Sequence, residues 1–278
     1  MKSVIIKPRT DILKQYIQYF LFFKKTDSDF LHYTTFPNSN LCLAIYKENN
    51  VNYITSKTGN SCIIKQGNTS FASKFYGFHK MPFSVDVNSP LDQICIIFHP
   101  SALRAFSGEK YNDLMLADNV SDIFSVADTA VFEKIFEESD FSKRAEIIEH
   151  LLVCNLKFEI PNKLKEALFF ISKYNDDNLT VEALAKMLVI STPTLFRLFN
   201  NHLGQSPKAY LKTIRFRSAL NEMLNRQHSL TSIAYLNQYY DQAHFINDFR
   251  LFSGCSPRQL CDKVSVRHNA LAWIYNKK

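Results

Sequence analysis

Two short segments of the chain place hydrogen-bonding side chains at matching positions. Arg197 lies six residues after Ser191, and Asn247 lies six residues after Asp241, which is 50 positions further along the chain. A guanidinium group can form two parallel hydrogen bonds with guanine, and a carboxamide can do the same with adenine. Side chains of these types on the exposed face of a short helix are therefore candidates for reading base edges in duplex DNA.

The segments around these residues are two copies of one pattern. From Ser191, the first residue of the second helix, each counterpart lies 50 positions further along the chain. Leu184-Ala185 and Ile233-Ala234 are only 49 positions apart. The second turn therefore contains one additional residue. Each copy has the pattern of a helix, a tight turn and a second helix, which places one helix in a major groove. The matching positions are Ser191, Leu195, Arg197, Phe199, Gly204 and Ser206-Pro207 in the first copy and Asp241, Phe245, Asn247, Phe249, Gly254 and Ser256-Pro257 in the second.

Helical periodicity shows which side chains of each second helix point away from the core. At about 100° per residue, Leu195, Leu198 and Phe199 share the inward face of helix 191–202. The same rotation buries Phe245, Phe249 and Phe252 in helix 241–252. The opposite faces carry Pro193, Phe196, Arg197 and Asn200 in the first unit and Ala243, Ile246, Asn247 and Arg250 in the second.

A long helix predicted over Pro207–Arg226 connects the two units. Its 20 residues span about 30 Å, which is close to one DNA turn of about 34 Å. One chain can therefore place two reading helices in successive major grooves. Basic residues on or near this bridge are Lys208, Lys212, Arg215, Arg217 and Arg226. Contacts with phosphates position a protein without reading sequence. We assign this role to Thr192, Lys208, Lys212, His244 and Arg250.

The distribution of charge indicates a polyanionic partner for the C-terminal part of the chain. Residues 160–278 contain 16 Lys and Arg and 8 Asp and Glu, whereas residues 1–159 contain 17 and 18. The six cysteines are scattered, which is typical of a reducing compartment, and no apolar run is long enough to cross a membrane. We therefore expect a cytoplasmic protein with no membrane segment.

The N-terminal part has the pattern of a β-rich domain followed by helices. An early helix is predicted over Thr10–Phe23, and turns are predicted at Glu48-Asn49-Asn50 and Asn88-Ser89-Pro90. The predicted strands are Leu41–Tyr46, Val51–Thr55, Ser61–Lys65, Phe83–Val87 and Ile94–Phe98, which favour an antiparallel sandwich or barrel. The predicted helices that follow are Ser101–Phe106, Glu109–Leu116, Asp128–Glu138 and Ser142–Phe158.

Residues 163–263 resemble the DNA-binding domain of the AraC/XylS family of bacterial transcription regulators. The resemblance lies in Leu184-Ala185, Ser191, Leu195–Phe199, Gly204–Pro207, Tyr210, Arg215, Ala219, Ile233-Ala234, Tyr240–Phe245, Phe249-Arg250 and Gly254–Pro257. It implies reading helices Ser191–His202 and Asp241–Phe252, double-stranded DNA and RNA polymerase as partners, and promoter activation as the usual outcome. The base-reading positions that it implies are Pro193, Phe196, Arg197, Gln242, Ala243, Ile246 and Asn247, of which Gln242 comes from the resemblance alone.

The chain departs from the family pattern at both turns. Val189 and Gln238 stand where glycine is usual, and Asn237 replaces an apolar residue. A left-handed backbone is unfavourable for a β-branched valine. The second turn is therefore expected either to be distorted or to leave its unit reading DNA weakly.

The N-terminal half resembles the β-rich sensing or dimerisation domains of this family, through Ile12–Ile17 and Ile96–Leu103. The expected fold class is α+β, with a β-rich cupin-like N-terminal domain, appended helices, and an all-α domain with two helix-turn-helix units. The expected division is 1–160 for effector sensing or dimerisation, 161–263 for DNA binding with units at 180–202 and 231–252, and 264–278 for a C-terminal tail. A small-molecule effector and a homodimer are the further expected partners.

No cofactor, metal or catalysis is expected. A cupin metal site needs a paired H-x-H and a later glutamate, whereas the histidines here are isolated. Phe71, Phe75, Tyr76, Phe78 and Phe83 either line an effector pocket or form ordinary core. Two alternatives stay open: a cupin-like enzyme that the C-terminal domain targets to DNA, and a protein-interaction module whose basic half binds a protein partner.

Overall fold

The computed structural model describes residues 2–56, 59–107, 110–111, 130–174, 179–225, 228–261, 266–268 and 271–276. The strands in these ranges are β1 Lys2–Ile6, β2 Ile17–Lys25, β3 Leu31–Thr35, β4 Leu41–Ser56, β5 Gly59–Tyr76, β6 Phe83–Val87, β7 Leu91–Phe98, β8 Val266–His268 and β9 Leu271–Asn276. The helices are α1 Arg104–Ser107, α2 Ala130–Glu137, α3 Phe141–Cys154, α4 Asn162–Lys173, α5 Val181–Met187, α6 Thr192–Leu203, α7 Pro207–Asn225, α8 Leu230–Leu236, α9 Gln242–Ser253 and α10 Pro257–Cys261, with a 3-10 helix over Leu13–Gln15.

The predicted fold class is confirmed. A curled, β-rich half-barrel with appended helices precedes an all-α region that contains two helix-turn-helix units. None of the helices in the described ranges is both long enough and apolar enough to cross a membrane.

The sheet has the strand order β1-β2-β7-β4-β5-β6-β3-β9-β8. Strands β5 and β6 run parallel, and the other described pairs are antiparallel. Strand β9 comes from the region predicted as a tail and pairs with β3, with His32 opposite Asn276 and Thr34 opposite Ile274. The C-terminal end of the described chain therefore extends the sheet that the N-terminal end begins.

The early helix predicted over Thr10–Phe23 is wrong. Only Leu13–Gln15 form a helical turn, and the residues from Ile17 onward form β2 between β1 and β7. Both faces of this strand are buried: Phe20 and Phe22 contact the helix-side cluster, whereas Leu21 and Phe23 belong to the cluster inside the curled sheet. A strand that is buried on both sides loses its alternation of polar and apolar residues, so periodicity alone cannot separate it from a helix.

The turn predicted at Glu48-Asn49-Asn50 is also wrong, because β4 continues through it as a bulge. The register of β4 against β5 shifts between Lys47 and Asn49, and Glu48 has a φ of 52°. Asn49 is buried, and its side chain donates hydrogen bonds to Ser89 Oγ at 3.0 Å and to the Pro90 carbonyl oxygen at 3.1 Å. The polar residues there stabilise a bend within one strand instead of separating two strands.

The appended helices pack on the outer face of the sheet. The guanidinium of Arg144 in α3 is buried and donates to both carboxylate oxygens of Asp92, at 2.6 and 2.9 Å. This bidentate pair fixes α3 against the start of β7. Helix α3 ends at Cys154, before the predicted end at Phe158, and the helix predicted over Glu109–Leu116 lies almost entirely outside the described residues.

Three apolar clusters form the core. The largest joins the outer face of the sheet to α1–α4 and to the first helix-turn-helix unit, and it ends at Tyr210. A second cluster fills the inside of the curled sheet. The third contains the second helix-turn-helix unit, the later part of α7 and Phe36, which follows β3.

Candidate nucleic-acid interface

The first helix-turn-helix unit consists of α5 and α6. Thr180 caps α5 by accepting a hydrogen bond from the Ala183 amide at 3.1 Å, and Ser191 caps α6 by accepting one from the Thr194 amide at 3.3 Å. Pro193 lies in the first turn of α6, where its missing N–H leaves no helical hydrogen bond unmade. Gly204 ends α6 with a φ of 64°. These residues fix both ends of the first reading helix.

The second unit consists of α8 and α9 and begins earlier than predicted. Ser229, two residues before the predicted start at Thr231, caps α8 by accepting a hydrogen bond from the Ser232 amide at 3.1 Å. Thr231 lies inside α8, and its hydroxyl donates to the side-chain oxygen of Gln242 at 3.0 Å. Asp241 caps α9 through the His244 amide at 2.7 Å, as the repeat predicts. The hydrogen bond from Thr231 therefore ties the first helix of this unit to the start of its reading helix.

The two turns share one backbone geometry. Val189 and Gln238 have φ values of 54° and 56°, and the next residue of each turn donates its amide to the alanine carbonyl, Ala185 or Ala234. Asn237 is buried, and its side chain donates to the Ile233 carbonyl oxygen at 2.9 Å, so it satisfies its own polarity within the helix. The second turn is therefore not distorted. The additional residue is Tyr240, which is 88% exposed directly before the second reading helix.

The predicted reading face of α6 is open to solvent. Pro193, Phe196 and Arg197 are exposed and Asn200 is partly exposed, while Leu195 and Phe199 on the other side are fully buried. Arg197 makes a long contact of 3.4 Å with the Thr194 hydroxyl, which leaves most of its donors free for another acceptor. Thr192 is also exposed, at the first position of the helix.

The reading face of α9 is more polar. Ala243 and Asn247 are exposed, whereas Gln242 is partly buried and keeps its amide nitrogen available beside Thr231. Ile246 is half-buried because it packs against the third cluster. His244 and Arg250, which we assign to phosphate contacts, are exposed on the same helix.

The bridging helix α7 carries basic residues with different environments. Lys208 is exposed, whereas Lys212 forms an ion pair with Asp248 at 3.3 Å. The guanidinium of Arg215 stacks over the Tyr239 ring at 5.5 Å. Arg217 faces the N-terminal domain, where it interacts electrostatically with Tyr19 and His79. Arg226 lies outside the described residues, and of this set Lys208 is the residue placed most openly for a phosphate contact.

The first unit also contacts the N-terminal domain through polar and tightly packed groups. The Arg104 guanidinium lies 3.1 Å from the ring nitrogens of His202, and burial together with this charge lowers the pKa of His202 to about 4. A Cβ atom at Gly204 would come within 2.1 Å of the Tyr111 ring. Glycine is therefore required there both by its left-handed backbone and by the close approach of Tyr111.

No group of three or more His, Cys, Asp and Glu side chains that could hold a metal ion occurs among the described residues. Tyr76 and Phe83 of the predicted aromatic set line a cavity, whereas Phe75 packs in the largest cluster and Phe71 packs against Phe132. Phe78 stacks on the Tyr111 ring, with the ring centroids 5.6 Å apart, so the set contains both cavity-lining residues and core residues.

Two helix-turn-helix units joined by one rigid helix define a DNA-binding domain of known architecture. Residues 184–263 match the family described as "Helix-turn-helix domain". Residues 184–263 are a helix-turn-helix domain of the AraC type, and the resemblance of this part of the chain to the AraC/XylS family is confirmed.

Named relatives match less than half of this chain. An HTH-type transcriptional regulator of Haemophilus influenzae is 30% identical over 124 residues, which are 44% of this chain and 42% of the relative. The HTH-type transcriptional activator RhaS of Salmonella schwarzengrund is 31% identical over 98 residues, 35% of each chain. The chain thus spans less than half the length of these relatives. The solved C-terminal domain of AraT, a response regulator from Geobacillus stearothermophilus, is 26% identical with a TM-score of 0.37, covering 40% of this chain and 93% of that one.

Proposed function

We propose that this chain is a cytoplasmic transcription regulator that binds a specific DNA duplex through both units and activates promoters. The observation that carries the proposal is the pair of exposed reading faces on α6 and α9, joined by the 19-residue helix α7. This helix spans about 28 Å, close to the pitch of duplex DNA. Relatives named as transcriptional regulators and activators support the same role, and activation requires contact with RNA polymerase.

The base-reading residues in this proposal are those predicted from the repeat and from the family resemblance. In the first unit Arg197 supplies the main hydrogen bonds, while Pro193, Phe196 and Asn200 shape the contact with the bases. In the second unit Gln242 and Asn247 supply amide groups, and Ala243 and Ile246 supply apolar contacts. The phosphate contacts come from Thr192, Lys208, Lys212, His244 and Arg250, with Lys212 exchanging its ion pair with Asp248 for a phosphate oxygen.

The N-terminal domain has a sensing or dimerisation role in this proposal, with residues 1–160 as that domain and residues 161–263 as the DNA-binding domain. The largest apolar cluster supports mechanical coupling, because it runs from the sheet into the first unit without a break. This role requires binding and a change of packing, and it requires no catalysis.

In vitro selection of bound duplexes from a random library tests the proposed function. We expect enrichment of two short half-sites about 10 base pairs apart, one for each reading helix. A gel shift across a salt series serves as the control, because phosphate contacts make the affinity fall with added salt. A selected pool with no common sequence, or retention of a protein partner but not of duplex DNA, would refute the proposal.

A further inference from the structure

The N-terminal domain contacts both reading helices at their C-terminal ends. The Tyr111 ring lies so close to Gly204, the residue that ends α6, that a Cβ atom would not fit between them. At the end of α9, Pro82 Cγ lies 3.2 Å from the place that a Cβ atom of Gly254 would occupy. Both contacts therefore involve the left-handed glycine that ends a reading helix, at equivalent positions of the repeat.

The side chains that we assign to base reading lie nearer the other ends of these helices. In helix-turn-helix proteins the N-terminal residues of the reading helix meet the base edges. Arg197 and Asn247 are exposed, and Gly204 and Gly254 each follow them by seven positions. Seven residues span about 10 Å along a helix. The docked N-terminal domain therefore leaves both reading faces open to a duplex.

One loop of the N-terminal domain reaches both units. The β5–β6 loop consists of Gly77–Pro82 and connects strand β5 to strand β6. Near its start, Phe78 stacks on the Tyr111 ring at 5.6 Å and meets the Tyr210 ring edge-on at 6.3 Å. Tyr210 lies near the start of α7 and belongs to the apolar cluster of the first unit. At the end of the loop, Pro82 contacts the second unit.

The sheet and the neighbouring side chains hold this loop in place. Phe83, which directly follows the loop, is buried and pairs with both β3 and β5. Pro82 has a fixed φ angle because of its ring. The Phe78 amide donates a hydrogen bond to the Tyr111 hydroxyl at 2.7 Å. The loop therefore has little freedom to move relative to the sheet.

The buried side chains of the two units pack in different clusters that meet along α7. Tyr210 belongs to the cluster of the first unit, and Phe216, six residues further on, belongs to that of the second. The β5–β6 loop contacts the first unit through Phe78 and the second through Pro82. It therefore links two units whose own cores are separate.

We propose that the β5–β6 loop is a positioning element that fixes the distance and the angle between α6 and α9 before DNA binds. The docked N-terminal domain thereby selects the spacing of half-sites that the protein accepts. Preorganised elements bind with a smaller entropy cost, and a linked second site adds affinity only when the geometry lets both sites bind at once. The consequence for DNA deepens the proposed function and rests on it, whereas the positions of the helices can be measured without DNA.

Double electron–electron resonance on the full chain without DNA tests this positioning role. Spin labels are attached through p-acetylphenylalanine at Asn201 and Leu251, which are exposed and stand at equivalent positions of α6 and α9. We expect one narrow distance distribution. Phe78→Ala removes the ring that contacts the first unit, and Pro82→Ala removes the atom that contacts the end of α9, so each should broaden the distribution. Lys80→Ala is the matched control, because it changes an exposed side chain of the same loop and should leave the distribution narrow.

Binding to duplexes with altered spacing tests the consequence for DNA. Two additional base pairs between the half-sites rotate the second site by about 70° around the duplex axis. The wild type should then lose at least about 10-fold in affinity, because only one unit can bind. Phe78→Ala and Pro82→Ala should lose less, while their affinity for a single half-site should equal that of the wild type.

The proposal is overturned if the wild type already has a broad distance distribution, if both variants keep the narrow one, or if both keep the full penalty for altered spacing. Urea denaturation shows whether each variant is folded, and Pro82→Ala, at a partly exposed position, decides the test if Phe78→Ala does not fold. If selection recovers no half-sites, the proposed function fails, but the distance measurement still decides whether the loop positions the two helices.

Discussion

The two helix-turn-helix units share one backbone design but differ in what lies behind them. Each has a positive φ in its turn and a left-handed glycine at the end of its reading helix. Phe199 of the first unit belongs to the large cluster that continues into the sheet domain. Its repeat partner Phe249 belongs to a separate cluster. Among the described N-terminal residues, Phe36 is the one that belongs to this cluster.

This difference indicates that the two units are held to the N-terminal domain in different ways. The first unit is built into the body of the protein, with Tyr111 and Arg104 packed against its end. The second unit instead packs against Phe36 in the third cluster. The reading faces differ too, since the first presents one arginine among apolar groups and the second presents two amides.

The largest expected effect is a loss of folding free energy when one buried aromatic ring is removed from each cluster at equivalent repeat positions. Phe199→Ala and Phe249→Ala each remove a fully buried ring and should each cost about 3–5 kcal/mol of folding free energy. Phe199→Ala should reduce hydrogen-exchange protection in the sheet as well, whereas Phe249→Ala should reduce it only around α8, α9 and the later part of α7. Equal loss of protection in the sheet for both variants would show that the two clusters act as one.

The next largest effect concerns DNA specificity. Arg197→Ala should cost about 1–3 kcal/mol on the selected site, and Asn247→Ala should cost less because Gln242 shares its role. Affinity measurements on selected and scrambled half-sites would check this. Lys208→Gln is the control, which should weaken all duplexes similarly and reduce the salt slope by about 1. If Arg197→Ala weakened selected and random duplexes equally, a base-reading role for Arg197 would be excluded.

Acid should destabilise the first unit through His202, whose repeat partner is the apolar Phe252. Burial and Arg104 lower the pKa of His202 from 6.5 to about 4 in the folded protein. The neutral ring therefore contributes stability that is complete above pH 6.5 and is lost as the pH falls from 6.5 to about 4. Allowing for its partial exposure, we expect a loss of about 1–2 kcal/mol.

Urea denaturation at several pH values would measure this loss. His202→Gln should remove the corresponding pH dependence of the unfolding free energy, while His244→Gln, at an exposed position of the second unit, should retain it. An unchanged pH profile in His202→Gln would assign the acid sensitivity to other groups.

The smallest expected effect is at the turns. Val189→Gly relieves a left-handed β-branched residue that is 87% exposed, and it should stabilise the protein by about 0.5–1 kcal/mol after the entropy cost of glycine. Gln238→Gly should give a smaller gain, because glutamine is not β-branched. Met187→Gly, at a helical position, is the control and should destabilise by about 1 kcal/mol. Loss of stability in Val189→Gly would mean that its side chain makes a contact worth more than the strain.

The sequence was sufficient to predict the parts of the site that depend on local patterns. Ser191, Asp241 and Gly254 stand at matching positions of the repeat, and they lie at helix boundaries in the structure because caps and left-handed stops have strong residue preferences. Helical periodicity predicted which faces of α6 and α9 are exposed, and the repeat spacing predicted the additional residue in the second turn, which is Tyr240. The second unit was predicted to begin at Thr231, whereas Ser229 caps α8; both residues are good caps and stand two positions apart.

The remaining features depend on contacts between distant parts of the chain. Ile17–Phe23 resembles a helix or a strand equally well until its two neighbours, β1 and β7, are known. Arg217 resembled the other basic residues of the bridge, and only the docked N-terminal domain distinguishes it from Lys208. The pairing of β9 with β3 likewise had no local signal, since a short apolar run carries no information about its partner.

That pairing has a consequence for biosynthesis. Strand β3 leaves the ribosome early, but the strand that covers its outer side is made only after both reading helices. Until then β3 presents unpaired backbone groups, which tend to recruit strands from other molecules. The complete set of described strands is thus paired only in chains that already carry the DNA-binding domain, and a prematurely terminated product would be prone to aggregate.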